Sequence, residues 1–446
     1  MLTAAAFVIA YLVGCLMALA RHPIYGLMTY VVVFYVSPSD RWWGRTALAG
    51  SRWALIAAVV TMIALVIHRT KPPPTPFLRQ PLVIGMIVFA AWLGIQNFWA
   101  LEPESHRSLS TYYPKFIVAM YLIYRCVDST ENVKRFLWAH VLGCTYLGWV
   151  VYTTHTGGRF DDFGGAGIGD GNAGALACVT GALSAGALFL AGGNRTRLVI
   201  VAATALIVNA VVATMSRSAF LALVSGGLAF NYFAPRRFRR WVLGLSVIGL
   251  AGFLLLTNPD YWGRIESLQY RGEEVQGVDT GYKRLILARA QLQMSREYPL
   301  GCGSRCTDVL SPQYLPERQL DSQGRRSSHN TFLTMLVEQG IPGAVLYVAM
   351  VLWVMTTLRA MARSRPETYD PSVALLIPAV AGSLVAIVVG DLFVQYPKFE
   401  IRFWFLTLGM ILLGMVTARS AVTEPVPSNP VHPADPPMDE AGAKQA

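Results

Sequence analysis

Long apolar runs recur along almost the whole chain and are separated by short polar connections. Several reach the ~20 residues that an α-helix needs to cross about 30 Å of hydrocarbon, and they lack the alternation of membrane β-strands. The pattern predicts an all-α polytopic membrane protein with about 12–13 transmembrane helices. The thirteen candidate runs lie at 2–20, 24–36, 53–67, 81–100, 112–124, 136–154, 174–192, 198–214, 219–234, 241–257, 342–358, 372–394 and 403–418.

The first two runs leave two arrangements open. The run at 24–36 is short for a crossing and follows Arg21-His22-Pro23, so the pair forms either two spans or one span with a re-entrant or interfacial piece. The N-terminus lacks the basic start of a secretory signal. We therefore expect the first helix to be retained.

A single long polar interval, 258–330, interrupts this pattern and contains 10 of the 37 Lys and Arg residues. It predicts a large, partly helical loop between two membrane regions. After residue 418 the chain is rich in Pro, Ala and acidic residues, which predicts a disordered tail. The predicted parts are N-terminal transmembrane helices at 1–257, the loop at 258–330, an interfacial helix with C-terminal transmembrane helices at 331–418, and the tail at 419–446.

Composition agrees with a membrane protein, since 54% of the residues are hydrophobic and 14% are charged, against about 25% charged in soluble proteins. The net charge of +11 does not indicate a nucleic-acid partner, because the basic residues are scattered between apolar runs.

Basic residues concentrate in alternate connections between the apolar runs. This distribution predicts that these connections and the tail are cytoplasmic, and that the large loop is periplasmic in a bacterial inner membrane. The basic connections contain Arg69, Lys71, Arg79, Arg125, Lys134, Arg135, Arg195, Arg197, Arg236, Arg237, Arg239, Arg240, Arg359, Arg363 and Arg365.

Motifs for metal or cofactor chemistry are missing from the sequence. The six cysteines include no CxxC pair, and there is no HExxH, GxSxG or phosphate-loop pattern. Adjacent Asp161 and Asp162 are weak evidence for a divalent cation without further ligands. The sequence predicts neither a metal site nor a cofactor, and it leaves one disulfide, between Cys302 and Cys306, as an option.

Two helices are predicted in and after the large loop. The first covers Asp279–Met294, with Thr280 as its cap and Pro299-Leu300-Gly301 after its end. Its predicted apolar stripe consists of Leu285, Ile286, Ala288, Leu292 and Gln293. The second covers Thr331–Glu338, is capped by Ser327 or Ser328, and ends before Gly340-Ile341-Pro342. Pro312 and Pro316 predict irregular chain between the two helices.

His329 is the only histidine of the large loop and follows two arginines. A neutral imidazole with a pKa near 6.5 suits a general base that accepts a proton from a hydroxyl group. The alternative is a capping or solvent-exposed side chain. Arg217 lies in a short turn between two apolar runs, where a charge is costly and points to function, although an arginine that reaches the lipid headgroups is the alternative.

Guanidinium groups beside a membrane suit a diphosphate, because arginine binds phosphate oxygens through two parallel hydrogen bonds and stays charged. Arg284 and Arg289 are five residues apart on the first predicted helix, about 140° from each other, so both cannot face one pocket. For either arginine, solvation of the helix is the alternative. Further substrate-binding candidates are Arg159, Arg325, Arg326 and Asn330.

Three blocks of the chain resemble the superfamily of O-antigen ligases and polymerases, and the match is closest to the O-antigen ligase and O-glycosylation ligase groups. The resemblance covers about 155–360. One departure is Leu287, where the family often has an aromatic residue three positions after its arginine. The blocks are Ser216-Arg217-Ser218-Ala219; Gly281-Tyr282-Lys283-Arg284 with Glu297-Tyr298-Pro299-Leu300-Gly301-Cys302-Gly303; and Ser328-His329-Asn330-Thr331-Phe332-Leu333 with Glu338-Gln339-Gly340-Ile341-Pro342-Gly343.

The resemblance implies a metal-independent membrane glycosyltransferase. In this reading His329 activates the acceptor hydroxyl, while Arg217 and Arg284 bind the diphosphate of an undecaprenyl-diphosphate-linked glycan. The first expectation for the acceptor is the lipid A core of lipopolysaccharide. A ligase that glycosylates protein, an O-antigen polymerase and, from another class, a transporter of lipid-linked glycan are the alternatives.

Overall fold

The computed structural model describes residues 2–45, 48–71, 73–165, 167–256, 281–363 and 371–423. Within these ranges the chain is helical and has no β-strand. The helices are α1 (Leu2–Ala20), α2 (Ile24–Val36), α3 (Trp53–Ile67), α4 (Pro81–Gln96), α5 (Pro103–Cys126), α6 (Thr130–Thr154), α7 (Gly171–Ala191), α8 (Asn194–Ala213), α9 (Arg217–Phe233), α10 (Arg239–Leu256), α11 (Gly281–Glu297), α12 (Cys306–Tyr314), α13 (Thr331–Glu338), α14 (Gly340–Arg363), α15 (Pro371–Gly390) and α16 (Glu400–Thr423).

Each of the thirteen apolar runs coincides with a helix, which confirms the prediction of an all-α polytopic membrane protein. Among the described residues, six helices are long and apolar enough to cross a membrane: α1, α7, α8, α14, α15 and residues Glu400–Thr417 of α16. Shorter apolar helices include α3 and α4. The predicted total of 12–13 crossings stays a prediction. The first two runs form two separate helices, α1 and α2. These helices pack against each other, and both pack on α3.

The centre of the bundle is built on α15, which packs against α7 and α9. A glycine from each helix allows α9 and α15 to approach closely: a Cβ on Gly226 would lie 2.9 Å from the carbonyl oxygen of Gly382. These glycines lie nine residues after the start of α9 and eight residues before the end of α15. A Cβ on Gly226 would also lie 3.0 Å from Ala386, and one on Gly382 would lie 3.4 Å from Phe230. The two helices are therefore antiparallel, and Arg217 lies level with the residues that follow Gly390.

Several connections lie together at one end of the bundle, which we call the loop face. It consists of 97–102, 155–165, 167–170, 214–216, 298–339 and 391–399. Three backbone hydrogen bonds join these segments: Leu101 N to Cys302 O (2.9 Å), Phe160 N to Ala213 O (2.9 Å) and Thr331 N to Asp391 O (2.8 Å). Connections at the opposite end also meet, since Asp128 accepts from Lys71 N at 3.3 Å and lies 3.6 Å from His22 Nε2.

Helix α11 differs from its prediction in its buried face. The described face packs on α12 and α13 through Leu287, Ala290 and Met294, which are three and four residues apart. In the predicted stripe Leu285 and Leu292 are instead exposed. The predicted apolar stripe is therefore on the wrong side of this helix. The sequence of α11 alone does not indicate which side meets α12 and α13. The predicted cap Thr280 lies outside the described residues.

Helix α13 has the predicted bounds, but its N-cap is Asn330 and not Ser327 or Ser328. Pro312 lies inside α12 and does not interrupt it. The carbonyl oxygen of Asp308, which a backbone N–H at position 312 would otherwise bind, accepts a hydrogen bond from the Ser311 hydroxyl at 2.7 Å.

At the C-terminal end, α16 continues to Thr423, past the predicted start of the tail at 419. Isolated polar residues do not stop a helix whose preceding turns are packed. Residues 257–280 and 424–446 lie outside the described residues, so the first part of the predicted loop and the predicted disorder of the tail stay predictions.

Candidate active site

Polar contacts fix the segment around His329 on both sides. The Ser328 hydroxyl is buried and accepts a hydrogen bond from Gln291 Nε2 of α11 at 2.9 Å. Asn330 caps α13, since its Oδ1 accepts from Leu333 N at 3.0 Å, and its Nδ2 donates to the carbonyl oxygen of Leu392 at 3.1 Å. His329 itself is half-buried. The imidazole is therefore carried by a short backbone segment held between α11 and the chain that follows α15.

A buried ion pair lies directly behind this segment. Arg402 of α16 donates to Asp391, and the two side chains are 3% and 1% exposed. The Tyr347 hydroxyl of α14 donates to the other carboxylate oxygen of Asp391. The Thr331 hydroxyl donates to Val394 O at 2.6 Å, and its oxygen lies 3.2 Å from Asp391 Oδ1. Four elements thus meet at the carboxylate of Asp391, which contacts Thr331, two residues after His329.

Arg217 is the first residue of α9 and is half-buried. The preceding Ser216 caps the helix, and its hydroxyl accepts from Ala219 N at 3.3 Å. Met215 takes a positive φ of 47° in the three-residue turn from α8, which reverses the chain sharply. The pairing of α9 with α15 brings Arg217 to the end of the bundle where Asp391 holds the His329 segment.

Arg284 is half-buried on α11, and Arg289 on the same helix is exposed. Arg284 precedes Gln291 by seven residues, or two turns, so the two share one face of the helix. Gln291 is the residue that binds Ser328. The face of α11 that carries Arg284 is therefore the face that meets the His329 segment.

The remaining predicted binding residues lie around this centre. Arg159 forms an ion pair with Asp161, 2.7 Å apart, in the exposed connection between α6 and α7. Arg325 is exposed, and its backbone N–H donates to Asp321 in a turn. Arg326 is half-buried and its N–H donates to Ser311 Oγ at 2.8 Å. Because Asp161 is already paired with an arginine, the structure does not favour a divalent-cation site at Asp161-Asp162.

The second and third motif blocks fit together backbone to backbone. Gly301 and Gly340 both have positive φ, 79° and 70°. A Cβ on Gly340 would lie 2.3 Å from the carbonyl carbon of Leu300, and a Cβ on Gly301 would lie 2.5 Å from Gly340 N. The N–H groups of Cys302 and Gly303 donate to the carbonyl oxygens of Val337 and Glu338. Glycine is required at both turns because no side chain fits between them.

Cys302 and Cys306 are paired in a disulfide with Cα atoms 5.7 Å apart. The bridge joins the turn after α11 to the start of α12. The sequence left this pairing open, and the fold brings the two sulfurs together because the turn at Gly303 folds back on α12.

Glu338 closes α13 as a fully buried carboxyl group outside the membrane-spanning candidates. Its Oε1 accepts from Gln395 Nε2 at 3.1 Å. Burial, with a smaller contribution from nearby Asp308, raises its pKa to about 8. The neutral acid is therefore the main form below that pH.

We expect the free energy of unfolding to fall between pH 5 and pH 8 because of Glu338. The unfolded carboxyl group loses its proton near pH 4.5, whereas the folded one keeps it to about pH 8, so the contribution is greatest at low pH and is lost as pH rises. Its size is on the order of 5 kcal/mol. Glu338→Gln should flatten the pH dependence of the thermal midpoint in detergent, and exposed Glu317→Gln should not. A wild-type slope retained in Glu338→Gln would refute this assignment.

A polar cavity of about 680 Å³ opens on the loop face beside the His329 segment. Sequence reasoning missed it, because its lining comes from five separate parts of the chain. The sequence also indicated no role for Lys398 or Arg402. Arg402 stands at the edge of an apolar run, a position that can signal a functional or paired charge. The lining residues are Glu104, Ser105, Ser108, Gly167, Gly169, Asp170, Ser304, Arg305, Asp308, Ser327, Gln395, Tyr396, Pro397, Lys398 and Phe399.

Comparison with known families gives one assignment for the centre of the chain. Residues 176–348 match a family model described as O-antigen ligase. All three motif blocks lie inside this range, and the match confirms the resemblance that they indicate. No curated protein matches the chain.

Proposed function

We propose that this protein, whose residues 176–348 match the family model described as O-antigen ligase, transfers a glycan from undecaprenyl diphosphate to a hydroxyl group of an acceptor. Two observations support the proposal: Gln291 of α11 holds Ser328 beside His329, and the packing of α9 on α15 places the start of α9 at the same end of the bundle. Arg284 lies on α11, Arg217 begins α9, and His329 lies just before α13. A histidine flanked by arginines suits a hydroxyl nucleophile and a diphosphate leaving group.

In the proposed reaction the acceptor oxygen attacks the anomeric carbon of the glycan. A new carbon–oxygen bond forms while the bond from that carbon to the diphosphate oxygen breaks, and the electron pair leaves with the lipid diphosphate. His329 accepts the hydroxyl proton, and Arg217 and Arg284 stabilise the negative charge on the diphosphate. Attack opposite the leaving group inverts the anomeric centre. The arginine charges replace a metal ion in this scheme.

The proposed location is the bacterial inner membrane with the loop face in the periplasm. Two observations support it. The connections rich in Lys and Arg, such as 68–71 and 234–239, belong to the end of the bundle opposite the loop face. The disulfide between Cys302 and Cys306 lies on the loop face, and disulfides persist in oxidising compartments such as the periplasm.

The acceptor that we propose first is the lipid A core, with surrounding membrane lipids as the other partners. Protein glycosylation and glycan polymerisation would use the same donor chemistry with a different hydroxyl group. A transporter of lipid-linked glycan would need charged groups along a path through the bundle. The buried charges Asp391 and Arg402 are instead engaged with each other, which favours the enzyme.

We expect His329→Ala, Arg217→Ala and Arg284→Ala each to reduce glycan transfer at least 100-fold, because each removes a proton acceptor or a diphosphate ligand. The measurement is product formation by the purified full chain from a lipid-diphosphate glycan and lipid A core. Arg296→Ala is the matched control, since Arg296 is an exposed arginine on the same helix as Arg284 and should retain activity.

Undiminished transfer by all three variants would refute the proposed site. Transfer that needs an added divalent metal and stops with a chelator would refute the metal-independent step. Folding of each variant is followed by its thermal midpoint, so that a loss of activity is separated from a loss of structure.

A further inference from the structure

The polar cavity on the loop face is distinct from the three proposed catalytic side chains. Among the described residues its lining includes Ser327, two residues before His329, but not His329, Arg217 or Arg284. It therefore adjoins the proposed reaction centre from the side of α5, α12 and the 395–399 segment. A volume of about 680 Å³ falls within the range of ligand-binding sites.

Lys398 brings a positive charge into this cavity. Its Nζ donates to Ser108 Oγ at 3.1 Å and lies 5.1 Å from the centre of the Tyr112 ring. Within the part of the chain that the structure describes, no carboxylate lies at ion-pair distance from it. Burial and, next, repulsion from Arg305 lower the pKa of Lys398. An anion bound beside the two cations would relieve both effects.

Arg305 supplies the second cation. Its Nε binds Asp308 Oδ2 at 3.1 Å, while the side chain remains 60% exposed, so most of its N–H groups point away from that contact. Asp308 is 4% exposed, and its other oxygen, Oδ1, has no hydrogen-bond partner among the described residues. A buried acceptor without a donor is costly, but Oδ1 is enclosed by the protein, so Asp308 serves the cavity by holding Arg305 through Oδ2.

The rest of the lining is suited to hydroxyl groups. Ser105, Ser108, Ser304 and Ser327 line the cavity, and each can donate and accept a hydrogen bond. Of its other carboxylates, Asp170 caps α7 and accepts from the Tyr396 hydroxyl, and Glu104 is exposed. The combination of two cations and several hydroxyl groups matches a saccharide that carries a phosphate or carboxylate.

We infer that this cavity is the acceptor site and that it binds an anionic saccharide, whose charged group lies between Lys398 and Arg305 and whose reacting hydroxyl is directed past Ser327 to His329. This inference rests on the proposed function and deepens it, since it assigns to the acceptor a place separate from the arginines proposed for the donor. Lys398 and Arg305 then determine which acceptor is used and take no part in the bond-making step.

The test measures binding and turnover separately on the full chain in detergent. The probe is a phosphorylated lipid A core oligosaccharide, compared with its dephosphorylated form, without donor. We expect Lys398→Ala to weaken binding of the phosphorylated form at least 10-fold and Arg305→Ala to do the same, while Lys398→Arg keeps most of the affinity. Binding of the dephosphorylated form should be weaker and insensitive to these substitutions.

Lys115→Ala is the matched control. Lys115 contacts the same Tyr112 ring, 4.9 Å from its centre, but does not line the cavity, so its loss should leave binding unchanged. In transfer assays Lys398→Ala should raise the KM for the phosphorylated acceptor and leave the KM for the donor and kcat nearly unchanged. A positioning effect on the donor would instead change kcat or the donor KM.

Equal binding of the phosphorylated saccharide by wild type and Lys398→Ala would overturn the inference, whether or not the protein transfers glycan. Wild-type preference for the dephosphorylated form, or for a peptide acceptor, would overturn it as well. Failure of the proposed function has a different signature: no transfer to any acceptor, with phosphate-dependent binding still present.

Discussion

Replacing Arg402 by methionine is expected to destabilise the protein by about 3–5 kcal/mol and to abolish glycan transfer. The substitution leaves Asp391 as a buried carboxylate without its cation, and removal of one partner of a buried pair has this cost. Asp391 binds Thr331, two residues from His329, so the loss also releases the segment that carries the proposed base. Thermal unfolding in detergent and the transfer assay measure the two effects.

The double variant Arg402→Met/Asp391→Asn removes both charges and should recover most of the stability, because the main cost of the single variant is the unpaired charge. Lys134→Met is the matched control. Lys134 lies 3.6 Å from Glu131 in an exposed ion pair, and its loss should cost less than about 1 kcal/mol. Equal destabilisation by Arg402→Met and Lys134→Met would contradict the structural role of the buried pair.

Gly340→Ala is expected to destabilise the protein by more than about 2 kcal/mol. A methyl group there would lie 2.3 Å from the Leu300 carbonyl carbon and 2.4 Å from Gly301 N, which are backbone atoms that cannot move aside. The turn after α11 would separate from the end of α13, and both carry proposed site residues. The measurements are the thermal midpoint and the transfer rate, and we expect both to fall.

Gly324→Ala separates backbone strain from this steric conflict. Gly324 has a φ of 69°, almost that of Gly340, but nothing lies within 4 Å of a Cβ built there. It should therefore cost only the ~1–2 kcal/mol of a left-handed alanine and leave transfer intact. If Gly340→Ala were no worse than Gly324→Ala, the close packing of the two motif turns would not be the reason for the glycine.

Much of the fold follows from the sequence, because hydrocarbon forces the backbone to satisfy its own hydrogen bonds. That requirement turns each of the thirteen apolar runs into a helix, and it explains why the bounds of α2 and α3 agree with their runs. The short helix α13 was also predictable. Polar residues that can cap a helix precede it, its own residues are amphipathic, and Gly-Ile-Pro follows its end. Its cap, Asn330, was not predictable, because three neighbouring polar residues can cap equally well in isolation.

Prediction was weakest where contacts across the chain decide the outcome. The buried side of α11 depends on α12 and α13, and a helix with apolar residues on several sides does not indicate which side will be covered. The pairing of Asp391 with Arg402 and the raised pKa of Glu338 also depend on burial, which separated segments create together. No local pattern around Lys398 distinguishes it from an ordinary loop charge.

The sequence by itself determined that this is a helical membrane protein, which segments form its helices, and which residue types offer base and diphosphate chemistry. Those properties are local, since they depend on hydrophobic length and on side-chain chemistry. Tertiary structure alone decided that Ser328 binds Gln291, that Asn330 reaches Leu392, and that Lys398 and Arg305 share a cavity. These contacts join residues that are far apart in the sequence. They form only when the helices pack, and packing is a property of the whole bundle.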